Sequence, residues 1–428
     1  MPEDLALIFA YHFPPENVIG ALRPFRFCKY LSRLGYKCHV ISAADTTQMP
    51  GTDAQFVPDP FETKPGRRLG WQAERAIRKF VLPGVVGSQW AIHAYKAAAQ
   101  YTREYPRQRV TVFSTFPPVG THLAAYWFAR RHHLPWIADF RDPLGGYSND
   151  IHTSSLTKNV YRKLERMIVS SADFVIANTD TAQDELRRAY PERADRIKLI
   201  WNGFDPEDRL PPLPVMYSGR KVVSHVGELY AGRSATPLLQ SLRRLIESGK
   251  LAPDDFQVCL AGEVAEGSIP DPGFMAAASK AGWLKLIPDR VPQQDAHRIV
   301  QTSDALLLIQ PHTALQVPGK LFDYIQIGRP ILAFVPPNSP VERILRNSGV
   351  PYHCIYPSFS QHELDESVLH FFQMDSLECR PSAWFEAEFN AQTHAEKLAD
   401  LIQQANSVRA ESSVVSRIPQ RESVEPEP

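Results

Sequence analysis

Short apolar runs alternate with longer segments of helical spacing along most of the chain. Residues 5–10 form the first run, and a proline-containing loop, a predicted helix over 21–34 and a second apolar run at 38–42 follow it. The same order recurs up to residue 205 and starts again at residue 222. Strands that alternate with helices predict a parallel sheet with helices on both faces. We therefore predict an α/β chain of two doubly wound, Rossmann-like domains.

A proline-rich segment separates the two halves. Four prolines fall between positions 206 and 214, without helical or strand periodicity, as expected of a stiff interdomain linker. The tail beyond residue 407 has few large apolar residues and is predicted to be disordered. The predicted organisation is an N-terminal domain at 1–205, a linker at 206–218, a C-terminal domain at 219–380, a terminal helix at 381–407 and a tail at 408–428.

Composition narrows the class of protein. The chain has 428 residues, of which 43% are hydrophobic, so it is long enough for two globular domains. Its formal net charge of zero argues against nucleic acid as a partner, because proteins that bind nucleic acid nonspecifically are strongly basic. The five cysteines show no C-x-x-C spacing, which indicates neither a zinc site nor a disulfide framework.

Hydropathy and charge also bear on the location of the protein. The first apolar run lacks the basic flank of a signal peptide, and no run of 18 apolar residues predicts a membrane span, so we expect a cytoplasmic protein. Residues 67–82 mix basic and large apolar side chains. Two interpretations stay open for them: a peripheral contact with the inner face of an anionic membrane, or an ordinary helix with a solvated basic face.

Residues 312–330 are the strongest candidate for a ligand site. Apolar runs flank them, so they should form a loop that leads into a helix at the carboxyl edge of a sheet, where such sheets bind ligands. Pro318 suits the first turn of this helix and Gly328 its end. Lys320 then places a cation at the positive end of the helix dipole, which is unfavourable by roughly 0.3–1 kcal/mol unless an anion binds there.

Arg233 occupies a second junction of the same kind, between the apolar run 222–226 and the helix predicted from Pro237. An arginine there could simply be exposed. Two cations at two strand-to-helix junctions of one domain instead favour a clamp for an anion, formed by Arg233 and Lys320.

The N-terminal half carries a second group of charged residues. Asp139, Arg141 and Asp142 follow a predicted strand and precede two glycines. One interpretation is a salt bridge of Arg141 that holds the loop; the other places these side chains where they orient a substrate. The first strand-to-helix loop has no G-x-G-x-x-G, so no dinucleotide cofactor is expected there.

Several of these segments resemble one enzyme family. The segments that show the resemblance are Pro14-Pro15 with Gly20 and Arg23, residues 136–143, residues 171–178, Asn202-Gly203-Phe204-Asp205 and residues 227–233. The most specific of them is 317–330. Over about 5–406 the chain resembles a GT-B glycosyltransferase of family 4, the retaining nucleotide-sugar transferases. The resemblance implies two Rossmann-like domains that face each other across a cleft, with a C-terminal helix that returns toward the first domain.

By position, the resemblance assigns donor binding to the segment Pro318-Gly319-Lys320, to Gly20 and Gly227, and to Arg233. Asp323 matches an acidic residue that accepts hydrogen bonds from the nucleotide ribose. Asp139, Arg141 and Asp142 would be the catalytic group, which orients the donor and acceptor hydroxyls. We further assign acceptor contacts to Arg23 and His122.

Three positions depart from the family pattern. Leu315 stands where the family has the first acidic residue of a pair, Arg141 replaces a frequent histidine, and Glu228 replaces a frequent basic residue. These departures bear on the donor sugar and on catalytic geometry, and leave the diphosphate clamp intact.

The expected activity is transfer of a sugar from a UDP-type or GDP-type donor to a glycan or lipid-linked acceptor in cell-surface polysaccharide or glycolipid biosynthesis. Retention of configuration and independence from metal and cofactor are expected from the resemblance. Two alternatives stay open: a partner-dependent or degenerate GT-B protein that binds nucleotide without transfer, and a sugar-nucleotide epimerase.

Overall fold

Two compact units make up the protein. The computed structural model describes residues 4–16, 19–46, 53–63, 69–76, 87–142, 144, 155–214, 219–230, 232–311 and 315–415. Unit 1 comprises Met1–Trp201 together with Ala391–Pro428, and unit 2 comprises Asn202–Asn390. Both are α/β, as predicted.

Unit 1 is built on a seven-stranded sheet in which every pairing is parallel. Its strands are β1 (Asp4–Phe9), β2 (Lys37–Ser42), β3 (Ala54–Phe56), β4 (Arg109–Phe116), β5 (Trp136–Phe140), β6 (Phe174–Ala177) and β7 (Ile197–Leu199), in the order β3-β2-β1-β4-β5-β6-β7. Its first helices are α1 (Ile19–Arg33), α2 (Pro60–Thr63), α3 (Leu69–Ala76), α4 (Ser88–Glu104), α5 (Val119–His132), α6 (Ser155–Ser171) and α7 (Asp180–Ala189), followed by a 3₁₀ helix (Pro191–Arg196). The order reverses between β1 and β4, which creates a crevice at the carboxyl edge.

Unit 2 repeats the same topology with six parallel strands. Its strands are β8 (Lys221–Val226), β9 (Phe256–Ala261), β10 (Leu284–Ile287), β11 (Ala305–Ile309), β12 (Ile331–Phe334) and β13 (Tyr352–Ile355), in the order β10-β9-β8-β11-β12-β13. Its helices are α8 (Thr236–Glu247), α9 (Pro272–Lys280), α10 (Gln293–Gln301), α11 (Lys320–Ile327), α12 (Pro340–Asn347), α13 (Gln361–Gln373) and α14 (Ala383–Glu388). The reversal falls between β8 and β11.

The strands of unit 1 are buried on both faces because their side chains alternate between two cores. Leu5, Leu7 and Phe9 of β1 point to the core that α4, α5 and α6 cover. Ala6 and Ile8 point to the opposite core, which α1 covers. Apolar residues at every position of such a strand explain why the sequence shows continuous rather than alternating apolar runs.

The C-terminal helix α15 (Ala391–Val415) packs in unit 1, as the fold prediction requires. Ala395, Leu398 and Ile402 enter the core on the α1 side of the sheet. Its backbone accepts a hydrogen bond at Ala399 from the hydroxyl of Tyr36. The predicted return of the C-terminal helix to the first domain is therefore confirmed.

The observed helix bounds near the C-terminus differ from the predicted ones. The segment predicted as one helix at 381–407 forms two, because Ser382 caps α14, which ends at Glu388, before α15 starts in the other unit. Residues 408–415, predicted to be disordered, continue α15, and residues 416–428 lie outside the described residues. The unit boundary falls after Trp201 rather than after residue 205, since Phe204 stacks on Phe385 of unit 2.

Candidate functional site

The crevice of unit 2 is organised around the first residue of α11. Lys320 lies on the segment that follows β11, and its ammonium donates a hydrogen bond to the carbonyl of Val226, the last residue of β8, at 2.7 Å. Tyr324, one turn later, accepts a hydrogen bond from the Val226 amide through its hydroxyl at 3.3 Å. Helix α11 is thus fixed to the end of the neighbouring strand, at the point where the strand order reverses.

Two glycines make this close approach possible. Gly227 has a φ of +129°, and a Cβ on it would overlap the Nζ atom of Lys320. Gly262, directly after β9, has a φ of +134°, and a Cβ there would lie 2.6 Å from the carbonyl oxygen of Gly227. Glycine is the residue that adopts such φ values without strain. The sequence predicted Gly227 but not Gly262, although Gly262 also follows an apolar run.

The first turn of α11 presents backbone donors to the crevice. Gly319 is the N-cap, and no side chain caps the helix there. The amide of Leu321 donates to the carbonyl of Pro318 at 3.0 Å, so the turn begins at Pro318, as the sequence predicted. At the other end, Gly328 adopts a φ of +75° and terminates the helix. An uncapped helix start offers N–H groups and a partial positive charge to an anion.

The electrostatics of this crevice are unfavourable without a ligand. Burial lowers the pKa of Lys320 from 10.5 to about 8, and the charge of Arg233 lowers it further in the same direction. His225 is buried on β8, and burial together with Lys320 holds its pKa well below the usual value, so it is neutral. In the described part of the chain, no carboxylate forms an ion pair with Lys320. Two cations near a helix start favour a bound anion.

Arg233 and Asp323 are the remaining side chains that were predicted to bind the donor in unit 2. The guanidinium of Arg233 lies over the ring of Tyr230 at 4.7 Å, and its charge acts on both Lys320 and His225. Asp323 lies in the first turn of α11, where a carboxylate is favourable to the helix dipole, and is half-buried. Leu315 is half-buried at the start of the same segment.

In unit 1, Arg23 and Asp139 form a buried ion pair. The Nη2 and Nε groups of Arg23 donate to the two carboxylate oxygens of Asp139 at 2.7 and 3.0 Å, and Thr115 donates to the same carboxylate at 2.8 Å. Arg23 also donates to the carbonyls of Ile200 and Trp201 at 2.9 and 2.6 Å. The pair thereby joins α1, β4, β5 and the segment after β7.

This burial changes the roles expected of both residues. Asp139 is 0% exposed and Arg23 is 7% exposed. A fully buried carboxylate with a bidentate guanidinium has no surface left for a substrate hydroxyl. We therefore correct the catalytic role predicted for Asp139 and the acceptor contact predicted for Arg23: both side chains hold the crevice in shape.

Arg141 has a different set of partners. Its Nε group donates to the carbonyl of Phe116 at 2.8 Å and its Nη2 group to that of Pro117 at 2.7 Å. A Cβ on Gly20 would overlap its Nη1 atom. Gly20 therefore makes room for a guanidinium of this chain, and its contact with the donor stays a prediction. Of the predicted catalytic group, Asp142 is the residue that is half-buried rather than buried.

His122 lies in the core of unit 1. It is 0% exposed, its Nδ1 atom shares a hydrogen bond with the hydroxyl of Ser114 at 2.8 Å, and the ring of Phe140 lies 4.9 Å away. Burial lowers its pKa to about 3, so the imidazole is neutral. The acceptor contact predicted for His122 is therefore corrected as well, because no acceptor reaches a residue with no exposed surface.

A pocket that the sequence did not reveal lies among the loops that follow β1, β2 and β3. Its volume is about 320 Å³. Within it, the imidazole of His12 pairs with Glu16 at 2.8 Å, and the hydroxyl of Tyr11 donates to Asp59 at 2.8 Å. The lining is rich in hydrogen-bonding groups: Tyr11, His12, Glu16, Ala43, Asp59, Glu62 and Thr63. No sequence signal pointed to it, because the loops that form it are far apart along the chain.

The described residues also bear on a metal site and on contact with a membrane. No group of three or more His, Cys, Asp or Glu side chains there could hold a metal ion. No described helix combines the length and apolar character needed to cross a membrane. Of the predicted membrane contact at 67–82, the structure describes 69–76, which form α3, and the rest lies outside the described residues.

Comparison with known proteins relates this geometry to an enzyme family. Residues 25–208 match the family model described as Glycosyltransferase Family 4. No curated protein sequence is similar enough to count as a relative.

Solved structures share the fold over nearly the whole chain. Sucrose-phosphate synthase from Thermosynechococcus elongatus is 12% identical, with a TM-score of 0.65 over 95% of this chain and 100% of its own. Anabaena Alr3699/HepE in complex with UDP is 15% identical, with a TM-score of 0.62 over 94% of this chain and 100% of its own. The trehalose 6-phosphate synthase of Burkholderia multivorans is 11% identical, with a TM-score of 0.62 over 98% of this chain and 100% of its own.

The family match and the fold agree with the resemblance read from the sequence, which is therefore confirmed. Residues 25–208 match the Glycosyltransferase Family 4 model, and the chain as a whole has the GT-B fold of these solved glycosyltransferases.

Proposed function

We propose that the protein transfers a sugar from a UDP-type or GDP-type nucleotide sugar to a glycan or lipid-linked acceptor in cell-surface polysaccharide or glycolipid biosynthesis. The observation that carries this proposal is the hydrogen-bonded approach of Lys320 to the end of β8, at the crevice of unit 2. Its ammonium lies beside the uncapped start of α11 and is destabilised by burial and by Arg233. A diphosphate at this position removes the destabilisation.

The donor nucleotide would be held mainly by groups of unit 2. Lys320, Arg233 and the amides at the start of α11 would bind the diphosphate, and Asp323 would accept hydrogen bonds from the ribose. The UDP found in the Anabaena protein of similar fold supports this class of donor. Gly227 and Gly262 would let Lys320 and the ends of β8 and β9 come close enough together to present these donors at one crevice.

Transfer would proceed with retention and without a metal. The bond between the sugar C1 atom and the diphosphate oxygen breaks, and the acceptor hydroxyl oxygen bonds to C1 on the same face. The hydroxyl proton goes to the departing phosphate oxygen, so no protein base is required. The cations Lys320 and Arg233 would stabilise the charge that develops on the leaving diphosphate.

The acceptor would bind in the pocket of unit 1. Its accessible carboxylates Glu16 and Glu62 are hydrogen-bond acceptors that suit the hydroxyls of a neutral sugar, while Asp59 is buried and accepts from Tyr11. Asp142 is the member of the predicted catalytic group whose side chain is accessible enough to orient a hydroxyl. We keep the orienting role for Asp142 and give Arg141 a supporting one.

Isothermal titration calorimetry with UDP, GDP and UMP tests the donor site. We expect a diphosphate to bind and UMP to bind more weakly, since UMP lacks the second phosphate. Lys320→Ala should weaken diphosphate binding by at least ~1 kcal/mol, about fivefold, while Lys250→Ala, an exposed lysine of the same unit, should not. Equal affinities for the wild type and Lys320→Ala would refute the diphosphate site.

The residues Leu315 and Arg141, which replace family residues, favour one second candidate: a partner-dependent or degenerate protein that binds nucleotide without transfer. A panel of nucleotide sugars and acceptors, analysed by mass spectrometry, separates the two. Transfer to any acceptor excludes the second candidate. Diphosphate binding without transfer or hydrolysis supports it, and conversion of the donor without any acceptor would indicate an epimerase instead.

A further inference from the structure

The chain is neutral as a whole, but its charges are not evenly spread. Helices α4, α5 and α6 carry eight of the 47 Lys and Arg residues and only two of the 47 Asp and Glu residues. One of these two carboxylates, Glu165, is buried and accepts a hydrogen bond from Tyr190. The surface that the three helices present is therefore strongly basic.

The three helices lie side by side on one face of the sheet of unit 1. Their buried residues share a single core, which includes Trp90 of α4, Phe128 of α5 and Ile168 of α6. Their outward faces consequently form one surface, which we call the basic face. Its cations are exposed except for the half-buried Lys158: Lys96, Arg103, Arg130, Arg131, Lys158, Arg162, Lys163 and Arg166.

Large apolar side chains stand among these cations. Leu156 is 57% exposed, Ile92 48% and Trp127 39%. Leu156 lies in the first turn of α6 and Ile92 in the second turn of α4. Crossover helices start at the carboxyl edge of a parallel sheet, so these two residues lie near the edge that carries the crevice. Trp90, in the first turn of α4, also packs against Tyr11 of the unit 1 pocket at 5.3 Å.

We propose that the basic face docks unit 1 on an anionic lipid bilayer, with Ile92, Trp127 and Leu156 entering the headgroup region. Exposed cations interspersed with exposed apolar side chains are complementary to an anionic bilayer, whose headgroups bind the cations and whose acyl boundary takes up the apolar side chains, whereas a nucleic acid would not require the apolar ones. The inference deepens the proposed function and rests on it in one respect, because the contact would bring a lipid-linked acceptor to the unit 1 pocket.

Vesicle co-sedimentation of the full chain tests the proposal. We expect binding to vesicles that contain phosphatidylglycerol, little binding to pure phosphatidylcholine vesicles, and release at high salt. The variant Arg162→Glu/Lys163→Glu should bind at least about 30-fold more weakly, since each lost cation removes about a fivefold factor. The matched control Lys250→Glu/Lys280→Glu makes the same charge change on exposed residues of unit 2 and should bind normally.

Trp127→Ala provides a second variant that leaves the charge unchanged. It should weaken binding to the anionic vesicles, whereas a purely electrostatic contact would be unaffected. Equal binding of the Arg162→Glu/Lys163→Glu variant and its control would overturn the proposal. So would a wild type that binds an RNA oligonucleotide but no vesicles.

The outcome is separable from that of the proposed function. Diphosphate binding involves unit 2 and should be unchanged in all three variants, and cooperative thermal unfolding with the circular dichroism of the wild type verifies that unit 1 is folded in them. If the wild type bound no diphosphate, the proposed function would fail while vesicle binding could still be measured. If the wild type bound diphosphate but not vesicles, only the proposal that the basic face binds a membrane would be refuted.

Discussion

The guanidinium of Arg141 occupies the space into which a side chain at Gly20 would project. Arg141 is 8% exposed and is held by the carbonyls of Phe116 and Pro117, so it has little freedom to move aside. Gly20, the second residue of α1, thereby packs beside the loop after β4, at the point where the strand order reverses. Glycine at this position reflects a contact within the protein, because its backbone lies outside the left-handed region.

Gly20→Ala should therefore destabilise the protein by about 1–3 kcal/mol, as expected when a methyl group is forced into a packed site. Urea denaturation measures the free energy of unfolding. In an Arg141→Ala background the overlap is gone, and alanine should instead stabilise α1 by roughly 0.5–1 kcal/mol because it is the better helix former. The same loss in both backgrounds would show that Arg141 does not cause it.

Lys320→Met should raise the stability of the unliganded protein at pH 7. A pKa lowered from 10.5 to about 8 corresponds to a cost of up to about 3 kcal/mol for the charged form. The lost hydrogen bond to Val226 offsets about 1 kcal/mol of that gain. Thermal denaturation should show a higher Tm for Lys320→Met, and a lower Tm would contradict the unfavourable electrostatics inferred for the crevice.

The stability difference between the wild type and Lys320→Met should also depend on pH. Between pH 8 and 10.5 the unfolded chain binds the Lys320 proton more tightly than the folded chain does. This group therefore makes the stability of the wild type rise with pH over that window. The advantage of Lys320→Met should shrink accordingly from pH 8 upward, and Lys250→Met is the matched control.

Diphosphate affinity should fall as the pH rises above about 8. The unliganded ammonium loses its proton in that range, whereas a bound diphosphate favours the charged form and raises its pKa. Binding near pH 8 should therefore take up a proton, which calorimetry in buffers of different ionisation enthalpy detects. An observed enthalpy that is independent of the buffer would show that Lys320 does not titrate on binding.

The sequence predicted the local features of the site better than its long-range contacts. Lys320 and Gly227 follow from strand-to-helix junctions and Gly328 from a helix end, and each of these is a pattern of adjacent residues. The pairing of Arg23 with Asp139 joins residues 116 positions apart, and nothing in the local pattern specifies it. The sequence suggested Arg141 as the partner for a salt bridge of this loop, because it is a near neighbour of Asp139.

Strand order explains what else was missed. The approach of Lys320 to Val226 depends on β8 and β11 being neighbours in the sheet. Strand order in a sheet cannot be inferred from the order of the strands along the chain. Helix α4 was not predicted, because its buried face is formed largely by alanines, such as Ala94 and Ala98, that carry little hydrophobic periodicity. Its basic neighbours α5 and α6 belong to the alternating strand and helix pattern predicted up to residue 205, but their joint surface forms only in the folded unit.

Breaking the buried ion pair should be costly. Arg23→Met leaves the carboxylate of Asp139 buried with the hydrogen bond from Thr115, and Asp139→Asn removes the carboxylate that faces the buried Arg23 charge. Each should reduce the free energy of unfolding by about 3–5 kcal/mol, and the double variant by less than their sum. Urea denaturation tests this. A stable Asp139→Asn enzyme with a greatly reduced kcat would instead restore the catalytic role first predicted for Asp139.

His122→Phe should leave acceptor binding unchanged. The imidazole is neutral and fully buried beside Phe116 and Phe140, so it has no path to the acceptor, and a phenyl ring replaces it with a similar shape. The variant loses the hydrogen bond with Ser114, for which we expect a stability loss of about 1 kcal/mol. Steady-state kinetics should show an acceptor KM within about twofold of the wild type. Glu62→Gln, which alters the pocket lining, should raise that KM, and a raised KM for His122→Phe with unchanged folding would return the histidine to the acceptor site.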